Sequence, residues 1–87
     1  IAEVVLHQNV PNPFKESTVI GFELPEAMNA TITVYDVTGK VVKSTNIDGV
    51  KGNNTIEFTK NELKSGIMYY TLEAGDFKST KKMVIIE

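Results

Sequence analysis

Thr18-Val19-Ile20-Gly21-Phe22-Glu23-Leu24-Pro25 and, three residues on, Met28-Asn29-Ala30-Thr31-Ile32-Thr33-Val34-Tyr35-Asp36-Val37-Thr38-Gly39 decide the fold. In the first run Ile20, Phe22 and Leu24 alternate with Val19, Gly21 and Glu23. In the second, Ala30, Ile32 and Val34 alternate with Thr31, Thr33 and Tyr35. A period of two belongs to strands, whose side chains point to opposite faces in turn, so each run has one dry face and one wetter face. Pro25 ends the first strand because it cannot donate to a ladder. Asp36-Val37-Thr38-Gly39 predicts a type I turn, with Gly39 in the left-handed conformation of a hairpin bulge.

The same period extends outward. Ile56 and Phe58 alternate with Thr55, Glu57 and Thr59, and Met68, Tyr70 and Leu72 alternate with Tyr69, Thr71 and Glu73. Short runs at Val4–Leu6, Val41–Val42 and Met83–Ile86 bring the expectation to about seven strands. The last run is apolar at four consecutive positions, which leaves its buried face open. Pro11-Asn12-Pro13 predicts extended backbone, and Asp48-Gly49 with Gly52-Asn53 a longer turn. Glu73-Ala74-Gly75-Asp76 closes a last hairpin. Thr59 and Glu62 have capping-box spacing, which predicts one short helical turn before Leu63. Short strands separated by turn signals predict an all-β, immunoglobulin-like antiparallel β-sandwich, with an open barrel as the alternative. Its expected core includes Ile20, Phe22, Leu24, Ile32, Val34, Ile56, Phe58, Tyr70 and Leu72.

Length and composition set limits on function. The chain has 87 residues, 41% of them hydrophobic, which suits a single small domain over residues 1–87. It begins on Ile1 with no initiator Met and no signal-peptide pattern, and so reads as a domain cut from a longer polypeptide. Eleven acids face nine bases, giving a net charge of −2, and every base is lysine. An acidic chain without arginine is a poor partner for nucleic acid. The absence of cysteine removes disulfides, thiol catalysis and thiolate zinc sites.

Catalytic constellations are equally thin. His7 is the sole histidine, and none of Ser17, Ser44, Ser65 or Ser79 sits in a nucleophile-elbow spacing. Glu26, Asp36, Asp48, Glu62, Glu73 and Asp76 fall at turns, where acids usually bond their own backbone. They lack the spacing of a calcium loop. Tyr35, Tyr69 and Tyr70 offer a sugar platform or, more simply, cross-strand packing. Asn29-Ala30-Thr31 and Asn53-Asn54-Thr55 match the N-glycosylation pattern, which matters only in a eukaryotic source. The expectation is a non-enzyme without cofactor or metal.

Five ordered segments carry a more specific resemblance. They are Gln8-Asn9-Val10-Pro11-Asn12-Pro13-Phe14, Thr18 to Ala27, and Val34-Tyr35-Asp36-Val37-Thr38-Gly39-Lys40. Leu63-Lys64-Ser65-Gly66-Ile67-Met68-Tyr69-Tyr70 and Lys81-Lys82-Met83-Val84-Ile85-Ile86 complete the set. Together they resemble the type A C-terminal sorting domain of type IX (Por) secretion cargo in Bacteroidetes, over about residues 6–87. The resemblance implies a signal that takes its parent from the periplasm across the outer membrane to the cell surface or medium. The implied partners are the type IX outer-membrane translocon and a sortase-like surface peptidase that removes the domain; no small-molecule substrate is implied. The expected recognition strand is Lys81, Lys82, Met83, Val84, Ile85 and Ile86, and the turn-critical residues are Asp36, Gly39 and Gly66. Glu87 departs from family members that end on a basic residue. The alternative is an immunoglobulin-like accessory or binding module, for carbohydrate or protein, of an extracellular enzyme. Flagellar hook-capping immunoglobulin-like domains have similar wording around "LPEA" and "VYD".

Overall fold

Seven strands account for the regular structure, and in the computed structural model no helix forms among the described residues, which are 3–63 and 65–87. Lys64, quoted in the fourth segment above, lies outside them, as do Ile1 and Ala2. The strands are β1 (Val5–Leu6), β2 (Ser17–Leu24), β3 (Met28–Tyr35), β4 (Val41–Gly49), β5 (Gly52–Thr59), β6 (Gly66–Ala74) and β7 (Phe77–Ile85). They form a three-stranded sheet ordered β1-β2-β5 and a four-stranded sheet ordered β4-β3-β6-β7, antiparallel throughout. This is the expected immunoglobulin-like sandwich.

The alternation read from the sequence is what joins the sheets. Ile20, Phe22, Leu24 and Phe58 from one sheet meet Ile32, Val34, Tyr70 and Leu72 from the other, all buried. Ile56 is only half-buried, although Phe58 two residues further along the same strand is buried. The core also takes Leu6, Phe14, Leu63, Met68, Met83 and Ile85.

Two turns differ from expectation. At Thr59–Leu63 the Glu62 carboxylate does reach back to the Thr59 N–H (3.0 Å), but the chain makes only i→i+3 turns and no helix. Lys43 Nζ lies 2.9 Å from Glu62 Oε2 and, as the main cause, holds that carboxyl below its ordinary range. Gly49 is no turn residue. It ends β4 inside the sandwich, where a β-carbon would run into Leu24 Cδ1 and come within 3.0 Å of the Met28 carbonyl. The chain turns instead at Val50–Lys51, with Asn54 accepting from the Val50 N–H and donating to its carbonyl, both at 2.9 Å.

Candidate functional site

Between β1 and β2 the chain makes a strap, His7–Phe14, that ties the two sheets together. It starts on the three-stranded sheet, where His7 N–H donates to the Gly21 carbonyl (3.0 Å) and Val10 exchanges two 2.9 Å bonds with Val19. It then crosses to the outer edge of β7. Phe14 N–H donates to the Val84 carbonyl (3.0 Å), Ile86 N–H donates to the Phe14 carbonyl (2.9 Å), and Val84 N–H donates to Asn12 Oδ1 (2.9 Å). The Phe14 side chain is buried in the shared core. Both X-Pro bonds of the strap, Val10–Pro11 and Asn12–Pro13, are cis.

Pro11 and Pro13 bring no N–H, so the strap draws on side-chain amides. Gln8 Nε2 donates to the Lys82 carbonyl and to Asn9 Oδ1, each at 2.7 Å. Asn9, buried, donates through Nδ2 to the Pro11 carbonyl (3.2 Å) and to Thr18 Oγ1 (3.0 Å). Tyr70 anchors the arrangement from the opposite sheet: its hydroxyl donates to the His7 carbonyl (2.8 Å) and accepts from the Asn9 N–H (2.9 Å). Burial is the larger influence on that phenol and pushes its pKa up to about 12, against a smaller lowering by the Asn9 N–H. No sequence signal named these partners. The available hint was the density of Asn and Gln around two prolines, where amide side chains must stand in for missing backbone donors.

The closing strand is now resolved residue by residue. Met83 and Ile85 point into the core, while Val84 is half-buried and Ile86 and Lys82 are exposed. Lys81 shares the inward face with Met83, at the sandwich margin, and is half-buried there opposite Tyr70. The two lysines are therefore no pair: they project to opposite faces.

The expected turn residues form one compact unit and one strand start. Asp36 Oδ1 accepts from the Thr38 hydroxyl (2.6 Å), the Thr38 N–H (2.9 Å) and the Lys40 N–H (3.0 Å). The Thr38 hydroxyl is the main reason its carboxyl sits below the ordinary range. Gly39 has φ 89° and Gly66, which opens β6, has φ 116°. A surface depression of about 210 Å³ beside Asp36, Lys40, Val41 and Val42 is smaller than the ~300 Å³ at which ligand clefts begin.

The remaining candidates lie apart. His7 Nε2 is 2.5 Å from Glu23 Oε2 on the outer face of the three-stranded sheet. Tyr70 is core, and Tyr35 and Tyr69 sit opposite each other on the outer face of the same four-stranded sheet, as cross-strand packing rather than a shared platform of three. Among the described residues no three His, Cys, Asp or Glu side chains gather into a group that could hold a metal ion.

The model of the family described as "Secretion system C-terminal sorting domain" matches residues 10–86, from inside the strap to beyond the end of β7. The chain belongs to that family. The sorting domain is thus a signal for type IX secretion, and the match favours this over the accessory-module alternative. The family is not an enzymatic one, and its signal implies export to the cell surface or secretion. Among solved structures, two crystal structures of Parabacteroides merdae beta-glucuronidase, one with glycerol in the active site, are similar to the sorting domain. Each shows 18% identity and a TM-score of 0.54 over 95% of this chain but only 13% of the enzyme's. At that identity the likeness concerns the sandwich alone. No curated protein matches the chain.

Proposed function

We propose that the type IX outer-membrane translocon reads this sorting domain in the periplasm through its closing strand, Lys81–Ile86, and that a sortase-like surface peptidase then removes it. The observation that carries the reading is the position of β7 at the margin of the four-stranded sheet, with Lys82 and Ile86 exposed there. Asp36, Gly39 and Gly66 act behind it, as turn residues that hold the sandwich in shape.

The test fuses residues 1–87 to the C-terminus of a periplasmic reporter in a host with working type IX machinery. The intact fusion should reach the surface or medium, and the reporter alone should stay in the periplasm. Lys82→Ala should leave the domain folded, since an exposed charge usually contributes under ~0.5 kcal/mol, yet retain the reporter. Normal export of that variant would mean that Lys82 only guards the edge and is no part of the recognition surface. Retention of the intact fusion would remove the sorting role from this chain.

A further inference from the structure

The strap covers only part of β7. Val84 and Ile86 turn their backbone groups to Asn12 and Phe14, and the Lys82 carbonyl turns to Gln8. In an antiparallel ladder alternate residues face alternate sides, and the β6–β7 register runs without a shift from Gly66↔Ile85 to Ala74↔Phe77. The backbone groups of Thr80 and Lys78 therefore also face outward, as does the Lys82 N–H. None of them has a hydrogen-bond partner among the described residues, and no strand pairs along that stretch.

An open edge with this character is a template for another strand. Its side chains state what kind. Lys78, Thr80 and Lys82 are all exposed on the outer face, and neither lysine makes an ion pair among the described residues. Four strand residues place the two ammonium stems roughly 13 Å apart. Carboxylates at positions i and i+4 of an added strand would lie beside them.

We propose that Lys78–Lys82 is the docking edge of the domain, and that its occupant is an extended acidic segment of the export machinery that pairs with β7 by main-chain hydrogen bonds. The proposal rests on the sorting reading above and moves the contact toward the start of the strand. The Met83–Ile85 half serves instead to hold the strap and the core.

Proline discriminates between the two halves. Thr80→Pro removes an outward N–H that has no internal partner, a position where an edge strand tolerates proline. Thr80→Val keeps the N–H and serves as the control. In the reporter assay the wild-type fusion must first be exported; if it is not, the sorting reading fails and this one with it. With wild type exported, Thr80→Pro should keep a cooperative melt and lose at least tenfold in surface reporter, while Thr80→Val stays within twofold of wild type. Should Thr80→Pro fail to fold, Lys78→Glu with Lys82→Glu reads the same contact without touching the backbone, and the same loss is expected. Export within twofold of wild type in a folded variant overturns the docking edge while leaving the sorting role intact. A wild-type dimer in gel filtration that Thr80→Pro converts to monomer also overturns it, because the occupant is then a second copy.

Discussion

The Tyr70 hydroxyl donates to the His7 carbonyl at 2.8 Å while it accepts from the Asn9 N–H at 2.9 Å, so one phenol of the four-stranded sheet satisfies two backbone groups of the strap. Removal of the oxygen takes a partner from both and leaves the buried Asn9 N–H unsatisfied. Tyr70→Phe should therefore destabilise the domain by about 1–3 kcal/mol, read as the shift in urea midpoint at constant slope.

The same phenol makes the domain sensitive to alkali. Its folded pKa of about 12 lies above its ordinary 10.0, so the native state holds the proton more tightly than the unfolded chain does. The stability this contributes is complete below pH 10 and is lost as pH rises toward about 12. Melting temperature should fall over that window, and Tyr70→Phe should fall less steeply. Every other ionisable group is common to the two proteins, so the difference between the two curves isolates the phenol.

Asp36 gives the acid counterpart. Its carboxyl, held low chiefly by the Thr38 hydroxyl, favours the folded state above its ordinary 3.8, and that contribution disappears as pH falls through the lower native value. Asp36→Ala should melt below wild type at pH 6–7, with the gap closing as the solution is acidified. A gap independent of pH would mean that charge plays no part in the turn.

Two glycines separate conformational from steric cost. A β-carbon on Gly39 meets nothing within 4 Å, but φ is 89°, so Gly39→Ala should cost about 1–2 kcal/mol from the backbone alone. Gly49→Ala instead drives a methyl group into Leu24 and the Met28 carbonyl. Overpacking of this kind costs about 1–3 kcal/mol or more, and Gly49→Ala should be the worse of the two by chemical denaturation.

Period two was legible in β2, β3 and β6 because each has one face on the core, so burial wrote its pattern into Ile20-Phe22-Leu24, Ala30-Ile32-Val34 and Met68-Tyr70-Leu72. It was ambiguous in Met83–Ile86, where Val84 and Ile86 are apolar on the outer side beside the strap. Ile56 reads like a core residue, yet it is half-buried while Phe58 on the same face of β5 is buried, a difference that a local pattern does not contain. Gly49 reads as a turn because the sequence does not show Leu24 passing above it. The site divides the same way. The closing strand was visible as a resemblance, but its division into a strap-covered half and an open half follows from Asn12, Phe14 and Gln8, which lie about seventy positions earlier.

The strap also dictates an order of events during synthesis. Gln8 and Asn12 wait for Lys82 and Val84, partners 74 and 72 residues further along. Contacts of such separation form late and slowly, since the intervening chain must be ordered before they reward it. A nascent chain that has not yet released β7 has no backbone partner for Phe14 and no completed four-stranded sheet. The edge offered for docking thus comes into being together with the finished fold, and a partly made chain has nothing for a receptor to read.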